Sequence, residues 1–428
     1  MRYLQRWITV AVLLLIAACS KDKDIDTPAR LVPFSATLKV ERVWSASVPD
    51  KGAKVLRLGL GLATEGNRVY AAGFKGEVIA FDLANGHTVW HTKLKKTPFS
   101  GGPAASADLV VAGTSEGEVV ALNAADGKLL WRVRLNGEIL AAPAISERAV
   151  AVRTVDGKLR ALSPKDGHEL WAQEQQVPRL SLRGTSRPVI AGDLTLCGFD
   201  NGKVIAVNMN DGSLQWEATV APPHGRTELE RLADVDSTPR VSGSDVFTVG
   251  FQGRVAMLAL DTGQVWWSHD TSSYRGIALD DDALYIANSD GEVISLRRKT
   301  GAEIWRQKAL LHRGLSAVAL TDNAVVTADF QGNVHWLDKA TGELAARVPT
   351  GKVRVSNPPV VSGNMVLVIN DAGKISAFRT TPIGGAMSGP RKVPAENATA
   401  PTAAPAPQAP APAPEPVTPP SVTPQSQP

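Results

Sequence analysis

Cysteine is almost missing from this chain: 428 residues contain only Cys19 and Cys197. A disulfide scaffold and a cysteine-rich metal site are thereby excluded. Charge of one sign is scarce too. Forty-six basic and 42 acidic side chains leave a net +4, of which Arg2 and Arg6 supply half. Nucleic-acid binding needs a clustered basic face that this balance does not provide. No zinc-ligand spacing, Walker-type loop or Gly-x-Ser-x-Gly elbow occurs, and with them go the usual sequence signs of metal, nucleotide and serine-hydrolase chemistry. Of seven histidines only His87 and His91 lie four apart, and they flank a predicted strand as surface residues do. The acid pair Asp281-Asp282 lies in a turn and reads as solvated charge.

Residues 7–18 form an apolar run of twelve in which Thr9 is the only polar side chain. That is short of the ~20 residues that span a bilayer. Preceded by Arg2 and Arg6 and ending in small residues, residues 1–18 read as a secretory signal peptide. Ile16-Ala17-Ala18-Cys19 resembles the bacterial lipobox, whose cysteine becomes the first mature residue and carries the lipid. A lipid-bearing Cys19 leaves Cys197 without a disulfide partner. Lipoproteins kept in the inner membrane carry an Asp where this chain has Ser20, so the resemblance implies the outer membrane, facing the periplasm. Residues 19–37 hold Lys21, Asp22, Lys23, Asp24, Asp26 and Pro28, and are expected to form a flexible tether. Residues 381–428 are expected to be a disordered tail, since 13 of the 39 residues in Pro390–Pro428 are proline and little apolar surface is left to bury.

Between these ends, residues 38–380 repeat one phrase eight times, starting at Gly76, Gly117, Gly157, Gly202, Gly253, Gly291, Gly332 and Gly373. Each phrase has an aliphatic residue two positions on and an apolar residue at the fifth, with a small residue between them in most copies. Seven copies place a second glycine ten positions on, from Gly86 to Gly342, and six place a tryptophan at fourteen, from Trp90 to Trp305. The seventh copy has Ala346 instead, which predicts a looser interface or one filled from elsewhere. Each copy reads as strands joined by a tight glycine turn. A period near 40 without a helical apolar stripe means propeller blades, with the tryptophans packed between them. The eighth copy lacks its outer strand, and Trp44-Ser45-Ala46-Ser47-Val48 at the front supplies one. The expected fold is therefore all-β: a single eight-bladed β-propeller, four antiparallel strands per blade, closed by the N-terminal strand near Trp44.

The Gly-x-x-x-Trp turn resembles the repeats of quinoprotein alcohol dehydrogenases, so a periplasmic quinone-dependent dehydrogenase is the competing reading. Such enzymes resemble one another in adjacent cysteines over the quinone and in a bound calcium. Here the cysteines are 178 positions apart; no catalytic, cofactor-binding or metal-binding residue is expected. A propeller that binds cell-wall glycan is a third reading. Function on such a fold sits in loops that depart from the common unit. The longest interval, 51 residues, contains 222–236, in which Thr227 and Glu230 have capping-box spacing. The next, 45 residues, contains 177–184, where Leu180 and Leu182 alternate with Ser181 beside Arg183. Both flank one blade and are expected to share a face, although tolerated insertions without a partner would look the same.

The segments LSLRG at 180–184, TELERLADVDSTP at 227–239 and LLHR at 310–313 are similar to those of the BamB family, lipoprotein subunits of the outer-membrane β-barrel assembly machinery. The resemblance runs from the lipobox through all eight blades, roughly residues 1–380. It implies a scaffold without catalysis that aids insertion of β-barrel proteins into the outer membrane. It further implies that Leu180, Leu182, Arg183, Asp234 and Asp236 bind the POTRA domains of BamA, with nascent outer-membrane proteins as additional partners. Two apolar side chains, a cation and two carboxylates suit a small anchor set. Arg183 paired with Asp234 or Asp236 inside the chain, ordering the loops, is the alternative. The Pro/Ala-rich tail is not part of the family pattern.

Overall fold

The computed structural model describes residues 26–49, 59–178, 180–182, 186–227 and 229–383. The signal peptide, Cys19, Arg183 and the tail beyond residue 383 lie outside that set. Thirty-two strands make eight four-stranded antiparallel sheets. Seven sheets take four consecutive strands, as in blade 1, where Leu62–Glu65, Arg68–Ala72, Glu77–Asp82 and Thr88–Lys93 run from the axis outward. The eighth joins the two ends of the ring. Its inner strands are Val360–Ser362, Met365–Ile369 and Lys374–Pro382, and Leu38–Ser47 pairs with the last of these as the outer strand, placing Trp44 opposite Ala377. The chain is an eight-bladed β-propeller closed by its N-terminal strand.

The glycine and the tryptophan of the repeat are two halves of one contact. Each tryptophan lies on the second glycine of the following blade: Trp44 on Gly86, Trp90 on Gly127, Trp171 on Gly212, Trp305 on Gly342. At Gly212 the backbone has φ +73°, and a Cβ there would come within 2.7 Å of the Trp171 ring. Glycine is required twice over, for the left-handed turn and for the ring that covers it. The indole N–H then donates across the interface to a carbonyl of that blade, from Trp44 to Leu83 at 2.9 Å, Trp90 to Ala124 at 3.0 Å and Trp171 to Met209 at 2.7 Å. Trp131, Trp216, Trp267 and Trp305 do the same. A large apolar area with its polar atom satisfied is thus buried at each of these interfaces.

The interface after blade 7 is filled from elsewhere. In six of the seven blades that carry the outer-strand tryptophan, it faces a small residue of the third strand, as in Trp90 opposite Ala80 and Trp216 opposite Ala206. Blade 7 inverts the pair, with Ala346 opposite Trp336. Trp336 is fully buried and meets Phe378 of blade 8 edge-on, ring centroids 5.7 Å apart. The reason lies in blade 8, whose outer strand arrives from the N terminus and brings no second glycine to seat a ring. Apolar volume is kept and the hydrogen bond is not: the Trp336 indole nitrogen is buried without a partner.

Residues 26–37, placed in the tether by their composition, lie against blades 6 and 7. Leu31 joins the apolar cluster of Leu310, Leu315 and Val325. Arg313, held to Asp329 at 2.7 Å, donates at 2.9 Å to the carbonyl of Ala29, and Arg347 stacks over Phe34.

Candidate functional site

Every link between blades runs from the outer strand of one to the innermost strand of the next. In an antiparallel four-stranded blade all such links fall on one face of the disc. The two long links are therefore on the same face. One joins Glu169–Glu174 to Val189–Ala191, the other Leu214–Thr219 to Arg240–Ser242. They also touch. The Leu182 N–H donates to the Asp234 carboxylate, and the Ser186 hydroxyl donates to the Ser237 carbonyl at 2.9 Å.

Leu180 is 39% exposed, Leu182 is half-buried and Asp234 is fully buried. The Asp234 backbone is clamped as well, its carbonyl accepting from Phe251 at 2.7 Å while the next residue, Val235, donates to Phe199 at 3.1 Å. Asp234 thus works from beneath, holding the Leu182 loop in place. Asp236 is partly buried with one carboxylate oxygen lacking a partner. The 222–236 insertion contains the capping box: the Glu230 N–H donates to the Thr227 hydroxyl at 3.2 Å, and the Thr227 N–H donates to the Glu230 carboxylate at 2.9 Å. It closes a single turn, which leaves Leu229 69% exposed.

Under the loops lies a cluster that sequence reading missed. Arg153, buried in the second strand of blade 3, stacks over Phe199 at 4.2 Å and approaches Asp200 at 3.5 Å. Burial raises the pKa of Asp200, against the pull of Arg153. Burial also pushes Asp234 up to about 7, despite the Leu182 N–H. Asp236 is raised well above the usual carboxylate range by burial, with Asp200 and Asp234 adding repulsion. Three acids share one guanidinium among the described residues. The signal was present, since Arg153 interrupts an otherwise apolar strand. The exposed Val177 and Leu229 lie inside the two segments singled out but were not named as contact residues.

Cys197 is buried in blade 4, and burial pushes its thiol up to about 12, far from a reactive thiolate. His91 bonds Glu77 at the surface, as its position in the repeat predicts.

Known proteins give the fold and these loops a family. A sequence model described as outer membrane protein assembly factor BamB matches residues 74–307 and 299–381. Outer membrane protein assembly factor BamB of Pseudomonas aeruginosa is 40% identical over 86% of this chain and 97% of its own length. That of Kangiella koreensis is 37% identical over 87% and 95%. The crystal structure of BamB from Moraxella catarrhalis superposes with a TM-score of 0.73 at 25% identity, covering 80% of this chain and all of that one. A quinohemoprotein alcohol dehydrogenase from Pseudomonas putida shares the fold (TM-score 0.63) at 13% identity over 84% and 78% of the two chains, and at that identity the likeness is one of fold alone. Family-wide match and relatives over nearly their whole length agree: the chain belongs to the family of outer membrane protein assembly factor BamB.

Proposed function

We propose that this protein is a lipid-anchored, periplasm-facing scaffold of the β-barrel assembly machinery that docks on the POTRA domains of BamA through its two long inter-blade links. Cys19 carries the lipid, a few residues before the segment 26–37 that lies against blades 6 and 7. Leu180, Leu182 and Arg183 make the contact, with Asp236 beside them. Asp234 supports it from below by fixing Leu182. The observation that carries this reading is the bond between the two links: insertions with no partner have no reason to be tied to one another across a blade. An apolar side chain fixed at the tip of a braced loop loses little conformational freedom on binding, which is what an anchor residue needs.

A detergent pull-down from native membranes, comparing wild type with Arg183→Glu, tests the assignment. Recovery of a POTRA-bearing barrel protein with wild type and its loss with a folded variant supports the reading. Recovery of none in either sample overturns it. Replacing Cys19 with Ser should move the protein from the membrane pellet to the soluble fraction.

A further inference from the structure

The axis of the propeller holds a cavity of about 600 Å³, lined where each blade's innermost strand begins. Cross-strand pairing puts the blades in register, for example Val189 opposite Leu196, Arg240 opposite Phe247 and Ala278 opposite Tyr285. Two residues before that position, each blade contributes one residue to a ring around the axis. Five blades use Gly61, Gly102, Ala142, Ala317 and Pro358, and blade 5 uses Thr238. Blade 6 has Gly276 at that position and blade 4 breaks the pattern with Arg187; Arg275 enters one residue before Gly276, and Arg240 from blade 5 two residues past Thr238. Small residues on one side leave the space, and three guanidiniums fill the other.

The acid these cations feel acts at a distance, the Asp371 carboxylate on Arg275. None of the three has a carboxylate within 4 Å among the described residues. Arg240 gives one donor to the Ile277 carbonyl at 3.0 Å, and the Arg275 Nε is buried without a partner. Asp236, the only acid among the described residues of the wall, couples instead to Asp200, Asp234 and Arg153. Arg187 and Arg240 stand close enough to repel one another, and both keep exposed surface with which to meet a ligand. Clustered like charges repel one another, and an anion that joins them relieves that repulsion.

We propose that the axial cavity binds an oxyanion, the carboxylate of an extended acidic peptide, gripped by Arg187, Arg240 and Arg275. A guanidinium fork matches a carboxylate in two parallel hydrogen bonds. The volume far exceeds that of a free phosphate, and Leu140, Leu182, Phe74 and Phe251 on the wall favour apolar residues on either side of the acid. The site opens on the face that carries the long links, but it does not depend on their proposed role. Its test uses no other protein, so either reading can fail alone.

The probe is a fluorescein-labelled Ala-Leu-Glu-Leu-Ala peptide with blocked ends, titrated with the purified full-length protein and followed by anisotropy. Saturable binding is expected, weakened about tenfold or more by Glu→Gln in the peptide and by Arg187→Gln with Arg275→Gln in the protein. In parallel, the peptide should shield Arg187 and Arg275 of the wild-type protein from phenylglyoxal, read by mass spectrometry, a result that does not depend on how the variant folds. Equal affinity for the Glu and Gln peptides, or no shielding, overturns the site. Displacement of the peptide by inorganic phosphate at lower concentration overturns the peptide assignment in favour of a small phosphate.

Discussion

Asp234 illustrates how one carboxylate can serve a surface without being on it. Its side chain is buried, its pKa is about 7, and its described hydrogen bond is to the Leu182 backbone. Asn keeps an acceptor for that N–H and removes the charge; Ala removes both. Asp234→Asn should therefore retain BamA binding, whereas Asp234→Ala should lose it through disorder of the 180–186 loop. The pH dependence has a definite sign. A carboxylate with a raised folded pKa makes the wild type less stable as pH climbs from the unfolded value near 4 to the folded value near 7, with no further change above. The Asn variant escapes that loss. Its thermal midpoint should gain on the wild type across that interval and hold a constant lead beyond it, worth at most about 4 kcal/mol. A lead that does not change between pH 4 and 8 would mean that Asp234 is charged in the folded protein. None of this was legible from composition, because an Asp in a polar loop reads as exposed until the fold is known.

Among elements, the blade interface was the most legible feature and also the one with an exception. Glycine and tryptophan keep a fixed local spacing, so the repeat shows in one dimension. That the ring of one blade covers the glycine of the next does not, because their pairing crosses the interface. Trp336 was hidden for the same reason: Ala346 was visibly anomalous, but its compensating partner sits ten residues earlier and is its neighbour only across the strand pair. Two glycines of blade 4 separate backbone from packing effects. Gly192 has φ +60° with nothing within 4 Å of a Cβ, while Gly212 has φ +73° with Trp171 on top of it. Gly192→Ala should cost about 1–2 kcal/mol for the left-handed backbone alone. Gly212→Ala should cost about 2–4 kcal/mol, because the indole must move as well. Chemical denaturation of both measures the difference, and equal costs would show that the ring is not seated on that glycine.

For the whole molecule, closure is the decisive feature. The N-terminal strand both completes blade 8 and sends Trp44 onto Gly86 of blade 1, so one segment seals two interfaces. Deleting residues 26–48 should leave Lys374–Pro382 as a naked edge, lower the thermal midpoint and promote self-association on size exclusion. An unchanged midpoint in a monomeric variant would contradict that role for the strand. Closure was readable from the count of copies, since the eighth lacked what the front supplied. The docking of residues 26–37 was not, because their contacts lie nearly three hundred positions away, as between Ala29 and Arg313.

The central claim is that the braced loops, and not apolar exposure in general, bind BamA. The measurement that tests it most directly is titration of the purified POTRA region of BamA with wild type, Leu180→Asp and Leu214→Asp. Leu214 is the matched control, 45% exposed on an outer strand against 39% for Leu180. Loss of about tenfold or more in affinity for Leu180→Asp, with Leu214→Asp unchanged, is the predicted result. Equal affinity for all three proteins, or equal loss in both variants, would contradict the account.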